Sequence, residues 1–253
     1  MPSGAPYETH TGAVYFKHIT ASEADRRIRS AFQQLVLQIA PPGALLLDLG
    51  AGPGIDARFF AERDFTVETY DVDPAMREFL AVHCREFVAS GRVIVDRSDY
   101  REFLARKSLL CGRPADLVMS NFGPLNQAEE LPELFAKLHA VTSSTGKLLL
   151  SVLNPFFLGD MKFPWWWLTV PRLLRDGYFF VPAGGAPPHT RRRLAGFKAI
   201  SSPYFALTRV FRARPPGGER RANGIDVSRG GRLVWPHVAT SRFMFLLFEK
   251  RRV

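Results

Sequence analysis

From Ala44 onward, short aliphatic runs alternate with amphipathic stretches. The runs are ALLLDL (44–49), FTVETYD (65–71), RVIVD (92–96), ADLVMSN (115–121) and GKLLLSVLN (146–154). They are five to nine residues long and largely apolar, as strands buried on both faces require. The stretches between them have helical spacing. DARFFAER (56–63) predicts a short helix, and a second helix starts at Asp73 as cap, with Pro74 in its first turn, and stops near Gly91. YREFLARKSLL (100–110) predicts a third, and Leu131, Leu134, Phe135, Leu138 and Val141 form the apolar face of a fourth. Ahead of the first run, Ser22 with Asp25 three residues on predicts the start of a helix that Pro41-Pro42-Gly43 stops. Its buried face is Ile28, Phe32, Leu35, Val36 and Ile39. RFMFLLFEKRR (242–252) alternates too little for a half-exposed strand and predicts the last, buried strand. Strands alternating with helices at these lengths predict an α/β, doubly wound, Rossmann-like, mostly parallel sheet with helices on both faces.

In such a sheet, ligands bind beyond the carboxyl ends of the strands, where strand order reverses. The first run ends in LLLDLGAGPG, with Asp48 leading Gly50, Gly52 and Gly54. Glycine there permits positive φ and lets a ligand press on bare backbone. The spacing is G-x-G-x-G, not the G-x-G-x-x-G of a dinucleotide site, which argues against hydride transfer. Asp71 ends the second run, where a carboxylate can accept from both hydroxyls of a ribose. Ser98-Asp99-Tyr100 follows the third run, and SNFGPLN (120–126) closes the crevice after the fourth.

LLLDLGAGPG, YDVDPAM, SDY and SNFGPLN, in this order, resemble the successive motifs of class I S-adenosylmethionine-dependent methyltransferases. Within that superfamily they are most similar to the bacterial small-molecule and quinone-type branch. The resemblance spans residues 44–153 and implies S-adenosylmethionine as cofactor. It implies that Asp48, Gly50, Ala51, Gly52 and Gly54 lie at the methionine part of the cofactor, and that Asp71 binds the ribose. Val72 and Met76 are expected against the adenine, Asp99 and Tyr100 at its edge, and Asn121 and Phe122 near the sulfonium. It further implies an N-terminal helical lid over residues 1–43 and a cofactor-binding core over 44–154. An acceptor-binding insertion over 155–240 and a last strand over 241–253 complete a single domain.

Methyl transfer from a sulfonium is a direct displacement, so positioning carries the catalysis and no general base is specified by these motifs. Asn126, Asn154, His189 and His237 are candidate acceptor contacts, and Tyr15, Phe16 and His18 precede the first helix, where a lid would sit.

Charge changes the picture of the second half. Residues 1–150 carry 16 Lys+Arg against 19 Asp+Glu, net −3, and residues 151–253 carry 18 against 5, net +13. Arg191, Arg192, Arg193, Arg209, Arg212, Arg214, Arg220 and Arg221 lie in that half beside FPWWWLTVP (163–171). Three successive tryptophans cannot share one helical face, so some ring points away from any single core surface. A small, apolar or aromatic acceptor is the expected partner. A lipid or quinone acceptor met at an anionic membrane surface, RNA, and a non-catalytic binding role are the alternatives. The apolar runs fall short of the ~20 residues that span a bilayer, and the N-terminus has no basic-then-apolar leader. Cys84 and Cys111 give no disulfide framework and no metal-ligand spacing, so no metal and a cytoplasmic location are expected.

Overall fold

The computed structural model describes residues 12–182, 188–212 and 240–251, and the backbone of 225–226, 228–229 and 232–233. Five strands follow the five aliphatic runs: β1 (Leu45–Leu49), β2 (Thr66–Tyr70), β3 (Val93–Asp96), β4 (Ala115–Ser120) and β5 (Thr142–Leu153). They pair in parallel in the order β3-β2-β1-β4-β5. Strand order reverses at β1, so a crevice opens between the carboxyl ends of β1 and β4. The strand β12 (Phe243–Lys250) inserts antiparallel beside β5, and β8 (Phe205–Arg212) and the short β9 (Ile225–Asp226) complete the eight-stranded sheet. Four small strands lie outside it. β6 (Tyr178–Val181) and β7 (His189–Arg192) form one hairpin, and β10 (Ser228–Arg229) and β11 (Arg232–Leu233) another.

The helices are α1 (Gly12–Ala21), α2 (Glu23–Ile39), α3 (Ile55–Ala61), α4 (Pro74–His83), α5 (Arg85–Ala89), α6 (Tyr100–Ala105), α7 (Leu131–Val141), α8 (Pro164–Asp176) and α9 (Leu194–Ser201). The sheet buries both faces. Leu45, Leu47 and Leu49 of β1 join α7 and α9 in one core, whereas Leu46 joins Phe32, Leu35 and Val36 of α2 in the other. Opposite faces of one strand thus enter separate cores, which is why the run reads as continuous apolar residues. Ser22 caps α2 as its spacing implies, accepting from Asp25 N at 3.2 Å.

Three boundaries differ from the sequence expectation, each for a tertiary reason. The helix expected from Asp73 to Gly91 breaks at Cys84, whose buried thiol lies 3.6 Å from Gly54 O. The turn seats this side chain against the glycine loop. The helix expected over 100–110 stops at Ala105 because Arg106 turns back to Asp96, and because the fully buried Glu68 captures two backbone N–H groups beyond it. Leu110 N and Cys111 N donate to its carboxylate at 2.9 and 3.1 Å. β5 begins four residues before Gly146, taking the chain directly from α7 into the sheet.

Candidate functional site

The glycine loop leaves β1 and folds against the end of β2. Gly50 N and Ala51 N donate to Tyr70 O at 2.7 and 3.1 Å, and Gly52 N donates to Asp71 Oδ2 at 2.7 Å. All three glycines have positive φ, at 74°, 54° and 80°. They differ in what a side chain would meet. A Cβ on Gly50 would lie 2.3 Å from Pro124, and one on Gly54 would lie 2.6 Å from Leu80. One on Gly52 would meet nothing nearer than the Tyr15 ring at 4.0 Å. Gly50 and Gly54 therefore serve packing, while Gly52 presents bare backbone to open space. Gly52→Ala is expected to cost only left-handed strain, about 1–2 kcal/mol. Gly50→Ala should cost roughly 1 kcal/mol more, because Pro124 must move. Urea unfolding of both variants checks the ranking, and equal losses would count against it.

Three carboxylates converge on this loop. Asp71 is held by Gly52 N and, through Oδ1, by Asp73 N at 2.9 Å. Burial raises its pKa, and those two backbone hydrogen bonds oppose the rise. Asp48 is buried, and its Oδ2 has no hydrogen-bond partner. Burial raises its pKa well above the usual carboxylate range, Asp56 and Asp71 push it further, and Arg29 partly offsets them. Asp48 thus keeps an acceptor oxygen free at a place that disfavours its ionised form.

Asp56, in the first turn of α3, is the residue that sequence reasoning passed over. Its buried carboxylate accepts from Arg29 Nη1 at 2.5 Å, Gln33 Nε2 at 2.7 Å and Asn121 Nδ2 at 3.1 Å. Arg29 and Gln33 stand one turn apart on α2, so their i, i+4 spacing beside the apolar face was a signal for a shared polar target. Asn121 in turn accepts from Phe122 N at 2.9 Å through Oδ1. Phe122 has φ 60°, a conformation that an aromatic residue rarely holds without support. Its ring lies under the Arg29 guanidinium at 4.6 Å and edge-on to Phe243 at 5.5 Å. The loop after β4 is thus clamped in a strained form from α2, α3 and β12.

Met76 is buried and Val72 is exposed, both on the segment after Asp71. Asp99 caps α6 in a reciprocal box with Glu102, and Tyr100 has a buried hydroxyl without a partner. From the N-terminal segment, α1 lies against α4: Phe16 packs on Phe79 and His83, and Tyr15 is the side chain nearest Gly52. His18 is exposed. Asn126 joins the β4 loop to the insertion, donating to Thr190 O at 2.8 Å and accepting from Leu153 N at 2.9 Å. Asn154 is fully buried, donating to Ser241 O at 2.9 Å and accepting from Phe156 N at 3.0 Å. Both amides hold loops in place. Beyond them Arg191, buried, pairs with Asp160 and lies 5.4 Å from the Trp165 ring. His189 stands beside it, 3.4 Å from Arg191 Nε, whereas His237, Arg214, Arg220 and Arg221 lie outside the described residues. No group of three or more His, Cys, Asp or Glu able to hold a metal occurs among the described residues.

Residues 20–184 match the family described as the methyltransferase domain. No curated protein sequence matches the chain. Among solved structures, the chain is similar to a TehB-like SAM-dependent methyltransferase from Corynebacterium glutamicum. The identity is 15% over 94% of this chain and 96% of that one, with a TM-score of 0.56. It is similar to the 1,6-didemethyltoxoflavin-N1-methyltransferase of Burkholderia thailandensis, solved with 1,6-didemethyltoxoflavin and S-adenosylhomocysteine bound. There the identity is 17%, the coverage 100% and 93%, and the TM-score 0.57. Magnesium protoporphyrin IX methyltransferase from Synechocystis, with bound S-adenosylhomocysteine, gives 18%, 97% of each chain, and 0.57. At these identities the likeness is one of fold.

Proposed function

This chain belongs to the methyltransferase-domain family, and from that premise we propose that it moves a methyl group from S-adenosylmethionine to a small apolar or aromatic acceptor by in-line displacement. The observation that carries the reading is the open backbone of Gly52 lying among the carboxylates of Asp48, Asp71 and Asp56. The residues fit the cofactor chemically. S-adenosylmethionine bears an ammonium and a sulfonium, and the unpartnered Oδ2 of Asp48 is an acceptor awaiting a cationic donor. Asp71 is already held by two backbone N–H groups, so its remaining lone pairs are pre-oriented to accept from ribose hydroxyls. When bound, the cofactor supplies an electrophilic methyl on its sulfonium.

The chain's own residues supply position. Asn121 and Phe122, clamped through Asp56, set the wall between the glycine loop and the acceptor side. Fixing the reactants in line lowers the barrier through entropy, so no proton-transfer group is assigned. An apolar or aromatic acceptor suits the ring-rich segment after β5, where Trp166 is anchored by Nε1 to Pro155 O at 3.1 Å and Trp165 lies beside Arg191. The small-molecule methyltransferases that share the fold agree with this choice.

Calorimetry of S-adenosylmethionine binding to wild type and Asp71→Ala tests the proposal. Binding by wild type that weakens about tenfold or more in the variant, about 1.4 kcal/mol, is the expected result. A folded wild type that binds none of it would overturn the reading.

A further inference from the structure

Exposed apolar side chains among the described residues concentrate on the outer face of α8 and the strand after it. Thirteen large hydrophobic residues are exposed among the described residues, and seven of them fall between Leu158 and Phe180. On α8 they take one side. At 100° per residue, Trp167, Leu168, Pro171 and Leu174 share a face, opposite the buried Trp166 and Leu173. Trp167 is 56% exposed, Leu168 80% and Leu174 58%. A helix that is apolar on both sides belongs in a core, yet one side of this one meets solvent. The apolar exposure continues on β6, where Tyr178 and Phe180 alternate with the buried Phe179.

Charge identifies the occupant. Arg172 edges the exposed face, Arg175 lies at its C-terminal end, Lys162 precedes the helix, and Arg192 lies over the Tyr178 ring at 4.9 Å. Of the two acids in this segment, Asp160 is taken up by Arg191, and Asp176 pairs with Arg175 while Arg172 also lowers its pKa. The rim is therefore cationic, within a half of the chain that carries +13. A tryptophan- and leucine-bearing face edged by arginine and lysine suits the headgroup boundary of an anionic bilayer. At 13 residues, about 20 Å, α8 is too short to cross a bilayer, and no helix among the described residues is long and apolar enough to do so. It would lie in the plane of the surface.

We propose that the outer face of α8 docks this protein onto an anionic membrane, with Trp167, Leu168 and Leu174 in the acyl boundary and Lys162 and Arg172 at the headgroups. The inner face of the same helix is fixed by Trp166 to Pro155, two residues beyond the carboxyl end of β5. Docking would thus bring the carboxyl end of β5 close to the lipid. This apolar, cation-edged face is present whether or not the chain transfers methyl groups.

The test is co-sedimentation of the full chain with vesicles of phosphatidylcholine alone and of phosphatidylcholine with phosphatidylglycerol. Wild type is expected to bind the anionic vesicles, and to lose most of that binding at high salt, where screening falls to within about 3 Å. Leu168→Ser, at a position so exposed that the core is untouched, combined with Leu174→Ser should weaken binding about tenfold. Arg172→Glu should weaken it about fivefold or more on anionic vesicles alone. No binding to either vesicle, or binding unchanged in the double serine variant, would overturn the proposal. A wild-type dimer that the serine variant dissociates would overturn it in favour of a second copy on this face. Cofactor calorimetry on the serine variant keeps the two readings separate, since its affinity should equal that of wild type.

Discussion

Asp56→Ala is expected to cost about 3–5 kcal/mol of folding stability, the penalty for stranding one partner of a buried ion pair. The side chain of Arg29 is only 15% exposed and that of Asp56 only 6%. Without the carboxylate, the guanidinium keeps its charge, and Gln33 and Asn121 lose their acceptor as well. The effect should spread to the site. Phe122 holds φ 60° because Asn121 accepts from its N–H while Arg29 and Phe243 hold its ring, and two of those supports depend on Asp56. Freed from them, the loop should relax toward negative φ and cofactor affinity should fall with stability. Asp56→Asn keeps the shape and one acceptor oxygen, so a smaller loss is expected. Urea denaturation with cofactor calorimetry on both variants decides the matter. An alanine variant within about 1 kcal/mol of wild type would mean that the cluster is no more than a surface contact.

That cluster marks where sequence reasoning stopped. Local period was legible through residue 154, whereas α8, α9 and β8 were not read from it: the five aliphatic runs are five parallel strands, and their acidic or polar ends all fall on one edge of the sheet. The family resemblance was legible for the same reason, since its motifs are strand ends in chain order. What depends on contacts between distant segments was not. Arg29, Asp56 and Asn121 are 27 and 65 residues apart in chain position and meet only because α2 packs over the end of β1 and β4. The break at Cys84 sits inside a stretch with helical spacing on both sides, and only its seat against Gly54 explains it. Leu110 reads as helix until the buried carboxylate of Glu68 takes its N–H group and that of Cys111. The three glycines looked equivalent by spacing. The packing of Pro124 and Leu80 separates the two structural ones from Gly52.

Asp48→Asn is expected to stabilise the free protein and to cripple cofactor binding, because one charge serves the two purposes in opposite senses. The folded-state pKa of Asp48 is raised by burial first and then by Asp56; Arg29 opposes the rise, and Asp71 adds the smallest contribution to it. A carboxyl whose pKa is raised on folding binds more protons folded than unfolded. Its contribution to stability is therefore fully present below the ordinary carboxylate pKa and is lost as pH rises through the folded value. Above that value the buried charge is a standing penalty, and the near-isosteric amide should recover about 1–3 kcal/mol there. In acid, where Asp48 is protonated, the two proteins should be equally stable. A cationic ligand reverses the balance. It favours the ionised acid, so wild-type affinity should rise with pH through the folded pKa, with proton release on binding. Calorimetry in buffers of different ionisation heats reads that proton directly. In the asparagine variant, affinity should fall about 10–100-fold, as loss of a charged hydrogen bond implies. The pH dependence should shrink to what Asp71 contributes, whose pKa burial also raises. Stability gained with affinity unchanged would mean that the unpartnered oxygen of Asp48 does not meet the cofactor's cation, and would move that role to Asp71.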